Sequence, residues 1–283
     1  SGAQARSDVQ RAPRSTRPPP SLVRMNSSTD LSPTILDPGA TPSGVIAIEA
    51  SRLEKSFGNA AVLRGLDMTI RDGEVVAIFG ANGVGKSTLL RVMATLTRPD
   101  HGNISIYGTD LSKQGEIARL SLGAVLHSPM LYGDLTVKEN LTFFGKMFRV
   151  PGLTERVDEM AARMGLMRRL DQRIRELSHG FQKRAALARA LMHRPRILLL
   201  DEAETGLDEP ARLILDGVIA EHRAAGHAVV MTTHSIERGI AGSDRVFVLS
   251  GGRIALDRPS SQVTPRDVTD LYGDTSLIGS GGA

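Results

Sequence analysis

The chain has 283 residues and a formal net charge of +4, with no cysteine and no tryptophan. Its length suits one large domain or two small ones, and the missing cysteines exclude disulfides, thiolate zinc sites and thiol nucleophiles. No apolar run approaches the roughly 18 residues of a membrane-spanning helix, and the start lacks the apolar core of a signal peptide, so neither insertion nor secretion is indicated.

The excess positive charge lies at the start of the chain. Residues 1–24 contain five arginines against one aspartate, a net charge of +4 that leaves the remainder near neutral. With the Pro-, Ser- and Gly-rich composition of residues 1–44, this predicts a disordered basic tail. A nucleic-acid-binding or lipid-binding arm is the alternative to a solvated tail, but charge runs most often stay solvated.

Ordered structure is expected from Val45, beginning with two strands of alternating apolar and polar residues, Ile46–Leu53 and Ala61–Ile70. Between them, residues 55–58 predict a short turn that carries an exposed aromatic side chain, Phe57.

A phosphate-binding loop is predicted next. Val75–Phe79 is apolar and rich in β-branched residues, as in a buried strand, and a helical pattern begins at Lys86. The intervening sequence fits G-x-x-x-x-G-K-[ST]. Glycines let backbone N–H groups turn towards an anion, and the helix N-terminus adds partial positive charge. The loop consists of Gly80, Ala81, Asn82, Gly83, Val84, Gly85, Lys86, Ser87 and Thr88.

This loop should bind a nucleoside triphosphate. Lys86 would reach the β- and γ-phosphates, and the Ser87 hydroxyl would bind Mg²⁺.

A helical block follows two further strands, Asn103–Tyr107 and Leu122–His127. Thr136 followed by Glu139 predicts a capping box at the first helix of the block. A second helix is predicted at Thr154–Met164, and a third begins at Ser178. Residues 129–190 are therefore interpreted as an α-helical subdomain inserted into a strand-rich core.

The last part of the chain alternates strands with helices, which predicts a mainly parallel sheet with right-handed crossovers. The domain should end near residue 258, with residues 259–283 forming a short tail that holds one helix near Asp267–Tyr272. The predicted strands are Ile197–Leu200, Ala228–Thr232, Arg245–Leu249 and Arg253–Leu256, and the predicted helices are Glu209–Ala225 and Ser235–Ala241.

Two carboxylates follow the buried strand Ile197–Leu200. Asp201 and Glu202 come at its carboxyl end, where ligands bind in open α/β sheets. Beside a phosphate-binding loop, Asp201 is the expected Mg²⁺ ligand, and Glu202 the expected base for the attacking water. Upstream, residues 177–182 read Leu-Ser-His-Gly-Phe-Gln and predict a second helix start that could face an anion on a partner chain.

Together these motifs resemble the nucleotide-binding subunits of ABC transporters over about residues 46–257. The resemblance implies an α/β fold with a P-loop NTPase core, a mainly parallel sheet, an antiparallel β subdomain and an inserted α-helical subdomain. The matches are Phe57 (adenine-stacking position), Gly80–Ser87 (Walker A), Leu177–Gln182 (signature motif), Leu198–Glu202 (Walker B), Gly206–Asp208 (D-loop) and Thr233–His234 (switch histidine).

The resemblance also implies residue roles. ATP and Mg²⁺ would bind, with Phe57 on adenine and His234 contacting the γ-phosphate. Ser178 and Gly180, followed by Gln182, would complete the ATP site of the opposite subunit in a homodimer. Asp208 would act across that interface.

The sequence departs from the family pattern in several places. His179 and Phe181 replace the usual Gly and Gln, and Ala203 replaces the Pro after the catalytic Glu. Where the Q-loop glutamine is expected, the chain has His127. An imidazole can still bond the Mg²⁺ shell or the water, and histidine changes charge near neutral pH. We therefore expect His127 to be catalytic and coupling to depend on pH.

The subfamily is left open. The residues after His127 are similar to haem-exporter ATPases of cytochrome c maturation, but also to general drug, lipid or polysaccharide exporters. A soluble ABC ATPase of DNA repair or ribosomes usually has two cassettes or long insertions, and a non-hydrolysing sensor is opposed by Glu202 and His234. We expect a peripheral ATPase at the cytoplasmic face of the cell membrane, with permease subunits on separate chains and no nucleic-acid partner.

Overall fold

Two sheets and eight α-helices form the part of the chain that the computed structural model describes, residues 44–273. The predicted tail lies outside the described residues except for Gly44. The strands are β1 (Ile46–Phe57), β2 (Ala60–Arg71), β3 (Val75–Phe79), β4 (His101–Ile106), β5 (Thr109–Asp110), β6 (Leu122–Val125), β7 (Ile197–Asp201), β8 (Ala228–Thr232), β9 (Arg245–Ser250) and β10 (Arg253–Pro259). The helices are α1 (Lys86–Met93), α2 (Leu111–Arg119), α3 (Val137–Met147), α4 (Leu153–Arg163), α5 (His179–Leu191), α6 (Glu209–Ala224), α7 (Ile236–Ala241) and α8 (Pro265–Gly273).

The six-stranded sheet positions the candidate site. Its order is β10-β9-β3-β8-β7-β6, and its strands run parallel except for β10, which pairs antiparallel with β9. Every residue of β3, β7 and β8 is buried, because helices cover both faces of a parallel sheet. A second, antiparallel sheet has the order β2-β1-β4-β5. This is the predicted fold class.

Two apolar clusters lie against this sheet. Val75, Ala77 and Phe79 belong to one cluster, whereas Val76 and Ile78 belong to the other, because successive side chains of a strand point to opposite faces. The first cluster continues into the helices between β6 and β7. The inserted helical segment and the central sheet thus share one apolar cluster.

The predicted capping box at the start of α3 is confirmed. The Thr136 hydroxyl accepts from the Glu139 N–H, and the Glu139 carboxylate accepts from the Thr136 N–H. Nearby, the buried Asn140 amide donates to the carbonyls of Tyr132 and Thr136 at 3.0 and 2.9 Å. These bonds fix the entry into the helical segment.

The structure differs from the sequence prediction at several element boundaries. The predicted turn at residues 55–58 is largely strand, since β1 continues to Phe57 and pairs it with Ala60. The helix α2 was not predicted, and strand β6 ends at Val125 rather than His127. Beyond the predicted boundary at residue 258, the fully buried Val268 shows that α8 packs on the core.

Candidate functional site

The candidate residues gather at one edge of the six-stranded sheet. The neighbouring strands β3, β8, β7 and β6 are parallel, so their carboxyl ends lie together. Gly80 follows β3, His234 follows β8, and Asp201 ends β7 with Glu202 directly after it. His127 follows β6 and is exposed. This edge is where ligands bind in open α/β sheets.

The glycine loop has the backbone that the motif requires. Gly80 and Gly85 have φ of 152° and 114°, conformations that favour glycine. A Cβ at Gly80 would lie 2.5 Å from the Leu249 carbonyl oxygen, and one at Gly85 would lie 2.9 Å from Val62 Cγ1. Gly85 caps α1 without a side-chain bond, so N–H groups of the first turn remain available to an anion. This cradle fits a phosphate.

The Lys86 side chain is buried and folds back onto the phosphate loop. Its Nζ donates to the carbonyl oxygens of Gly80 at 2.7 Å and Ala81 at 3.2 Å. Burial lowers the pKa of Lys86, while the charges of Glu202 and Asp201 act to raise it. The lysine is therefore positioned between the loop and the two acids.

The donor set around Asp201 fits Mg²⁺ only when phosphate supplies further ligands. The Asp201 carboxylate is buried and accepts from the Thr232 hydroxyl at 2.7 Å. Residues 44–273 contain no cluster of three or more His, Cys, Asp or Glu side chains that could hold a metal. Mg²⁺ commonly takes one or two protein ligands and completes its shell with phosphate oxygens and water. Asp201 and the Ser87 hydroxyl suit that arrangement.

Glu202 and His234 form a contact between two strand ends. His234 Nε2 lies 2.7 Å from Glu202 Oε1, and both side chains are partly exposed. Glu202 has a left-handed φ of 50°, which costs about 1 to 3 kcal/mol for a residue other than glycine. Its N–H donates to the carbonyl and hydroxyl oxygens of Thr232 at 3.2 and 3.0 Å. These bonds hold the strained backbone and aim the carboxylate at the site.

Ser178 and Gly180 begin α5 without partners that would explain their residue types. The Ser178 hydroxyl makes no capping bond, and a Cβ added at Gly180 would meet nothing within 4 Å among the described residues apart from its chain neighbours and the backbone of its own helix. The Gln182 amide, by contrast, donates to the carbonyls of Ile174 and Leu177 at 3.1 and 3.0 Å. The Gln182 side-chain nitrogen is thus engaged within its own helical segment, and the contact of Gln182 with the nucleotide stays a prediction.

Phe181 lies beside two arginines. The guanidinium carbons of Arg169 and Arg184 are 3.9 and 5.1 Å from its ring centroid. Arg184 also forms a 2.8 Å ion pair with Asp208, which caps α6 through the Ala211 N–H. The hydrogen bond from Arg184 lowers the pKa of Asp208. The structure therefore joins α5, the helix that begins at the predicted signature motif, to the predicted D-loop within one chain.

Phe57 lies in the antiparallel sheet and not at the carboxyl ends of the parallel strands, where the other candidate residues gather. Phe57 is 54% exposed, and Lys55 Nζ lies 5.4 Å from the centroid of its ring. Lys55 pairs with Asp100 at 2.6 Å, which fixes the end of β1. Phe57 belongs to the same β1–β2 hairpin as Val62, whose side chain lies close to Gly85 in space. An exposed ring on this hairpin is available for an adenine base.

Some contacts of the site were missed by sequence reasoning. Thr232 was missed although a polar residue that ends an apolar strand is a usable signal. Lys183 donates to the Glu202 and Thr205 carbonyls, and the Gly80 N–H donates to the Tyr272 hydroxyl at 3.2 Å. No local sequence pattern predicts the contacts of Lys183 and Tyr272, because they join residues 19 to 192 positions apart.

The chain belongs to the ABC transporter family, whose profile matches residues 63–205. It is 34% identical over 273 residues to Nod factor export ATP-binding protein I of Rhizobium meliloti (strain 1021), covering 94% of this chain and 80% of that protein. It is 33% identical over 243 residues to the protein of the same name from Ralstonia nicotianae, covering 84% and 75%.

Solved structures give the same assignment. An ATP-binding subunit of an ABC transporter superposes with a TM-score of 0.73 at 26% identity, over 82% of this chain and 97% of that one. For cbiO1 of Clostridium perfringens, part of the complex cbiONQ, the values are 0.67, 28%, 83% and 97%. For a dimeric ATP-binding cassette in a post-hydrolysis state with ADP and Pi, they are 0.69, 26%, 75% and 98%.

These likenesses confirm the predicted fold and class. The protein is an ABC ATPase, an ATP-binding and ATP-hydrolysing subunit of a transporter. Of these solved structures, one is a dimer and another is part of a transporter complex. None of the helices within residues 44–273 is both long and apolar enough to cross a bilayer.

Proposed function

We propose that two copies of this chain close head to tail around two ATP molecules and power export through separate membrane subunits. The observation that carries the proposal is the division of the site. The phosphate loop, Glu202 and His234 lie at one sheet edge, whereas Ser178 and Gly180 begin α5, where within residues 44–273 the serine hydroxyl makes no capping bond and the glycine is open to further atoms. A partner's ATP accounts for both residue types.

In the proposed reaction, Glu202 accepts a proton from a water molecule while the water oxygen forms a bond to the γ-phosphorus. The bond between that phosphorus and the β,γ-bridging oxygen breaks, which leaves ADP and phosphate. His234, which contacts Glu202, holds the water and the γ-phosphate, and Lys86 neutralises charge on the phosphates. Ser87 and Asp201 would hold Mg²⁺, which would supply further positive charge to the site when bound.

The names of the relatives favour a general exporter as the setting. Several similar curated proteins are named for Nod factor export, so a related exported compound is the proposed cargo class. The alternative of haem export, which rests on the sequence around His127, receives no specific support from these relatives. Membership of a transporter family also supports a peripheral position at the cytoplasmic face of the membrane.

Affinity purification of the tagged chain from detergent-solubilised membranes tests the export function. We expect an integral membrane permease to co-purify in proportion to the ATPase. Recovery of ribosomal or DNA-repair proteins without a permease would contradict the proposal. Co-purification of haem-handling proteins with the permease would instead support haem export.

The substitutions His127→Gln and His127→Ala test the role of the unusual Q-loop residue. If the imidazole bonds the catalytic water, glutamine can replace that hydrogen bond and alanine cannot, so ATP hydrolysis should persist in His127→Gln and fall about 2- to 10-fold in His127→Ala. The exposed His101 at the start of β4 provides the control variant His101→Ala. Wild-type turnover in His127→Ala would refute the role.

A further inference from the structure

The first residue of the phosphate loop is held at both of its backbone polar groups. The Gly80 N–H donates to the Tyr272 hydroxyl at 3.2 Å, and the Gly80 carbonyl accepts from Lys86 at 2.7 Å. Movement towards β9 is blocked, because the Leu249 carbonyl already lies against Gly80. The position of the Gly80 N–H therefore depends on a residue from the far end of the described chain.

The tyrosine is carried by a helix that is anchored independently of the loop. Thr264 and Asp267 exchange bonds at the start of α8, with the Thr264 N–H donating to Asp267 at 2.8 Å. Val268 is fully buried, and Leu271 packs against the same apolar cluster. Helix α8 also contacts α7 and β9. The Tyr272 ring is thus positioned by the core, and the Tyr272 hydroxyl offers a fixed acceptor to the Gly80 N–H.

This arrangement has a consequence for anion binding. Because the Gly80 N–H is already paired with a phenol oxygen, it does not face the phosphates, and the cradle is formed by the N–H groups that follow. Without the hydroxyl, the Gly80 N–H would lose this acceptor and the peptide would gain freedom. Binding of ATP would then have to order the peptide, which lowers affinity.

We infer that Tyr272 is a positioning residue of the nucleotide site, whose hydroxyl presets the phosphate loop for ATP. The inference rests on the proposed binding of ATP by residues 80–88. It requires neither the export function nor a permease. The contribution of the ring to packing is separate from that of the hydroxyl, so the two can be tested apart.

The test is steady-state ATP hydrolysis by the full chain carrying Tyr272→Phe, which removes only the hydroxyl. We expect KM for ATP to rise about 2- to 10-fold, as loss of one hydrogen bond implies, with kcat within about twofold of wild type. Binding of a fluorescent ATP analogue in a Glu202→Gln background should weaken by the same factor, since KM alone can differ from Kd.

Two controls make the result decisive. Tyr132→Phe removes a hydroxyl from a tyrosine that is 51% exposed and should leave KM unchanged. Lys86→Ala should abolish nucleotide binding, which establishes the site whatever Tyr272 does. An unchanged KM in Tyr272→Phe, or a fall in kcat and melting temperature at constant KM, would overturn the positioning role and leave only packing.

Discussion

Replacement of Glu202 by glutamine should abolish turnover while leaving ATP binding intact. Glutamine has the same shape and can keep the contact with His234, but it cannot accept the proton of the attacking water. Loss of a general base costs about 100- to 10,000-fold in rate. ATP hydrolysis and equilibrium binding of ATP, measured on the same preparation, give the two quantities.

The matched control is Glu237→Gln, an exposed acid on the helix that follows His234. It makes the same chemical change without touching the strand edge, so its hydrolysis rate should equal that of wild type. The Glu202→Gln chain should also accumulate as an ATP-bound dimer in size-exclusion chromatography. Wild-type turnover in Glu202→Gln would refute the assignment of the base.

Mixing two inactive variants should restore hydrolysis if each site is shared between two chains. Lys86→Ala damages the phosphate loop and Ser178→Arg damages the signature motif, so each homodimer has two defective sites. In a mixed dimer both defects fall in one site, and the other site is intact. An equimolar mixture should therefore recover about a quarter of the wild-type rate, given head-to-tail pairing and random exchange.

The control mixture combines Lys86→Ala with Glu202→Gln. Both residues lie at the same sheet edge of one chain, so each site of the mixed dimer keeps one defect and no activity should return. If Lys86→Ala with Ser178→Arg is as inactive as either variant alone, the shared site is refuted. Recovery in the control mixture would contradict the placement of Lys86 and Glu202 in the same half-site.

Local signals predicted the parts of the structure that local forces determine. The buried strand β3, the glycine loop after it and the capping box of Thr136 and Glu139 depend on residues a few positions apart, and each was predicted in place. Helix α2 was missed because its pattern is weak. It contains Gly115, and its backbone departs from helical geometry at Gln114.

The parts that depend on distant residues could not be predicted. Strand β1 continues to Phe57 because Asp100, about 45 positions away, accepts bonds from Lys55 and the Ser56 N–H. In the site, Asp201, Glu202 and His234 could be named from their motifs. The Thr232 hydroxyl donates to the Asp201 carboxylate and accepts from the Glu202 N–H. These two bonds follow only from the pairing of β7 with β8.

The pairing of β3, the strand that precedes the phosphate loop, also determines when the protein can fold during synthesis. Both sheet neighbours of β3 come late in the chain, since Val75 pairs with Val229 and Phe79 pairs with Val248. A ribosome that adds about 5 to 20 residues per second needs roughly 10 to 30 seconds to cover that distance. Until β8 has been made, β3 is an apolar strand with two unpaired edges, a template for aggregation. The nucleotide cradle is encoded at residues 80–88, but it can form only after the strands that flank β3 have been synthesised, about 150 to 170 residues later.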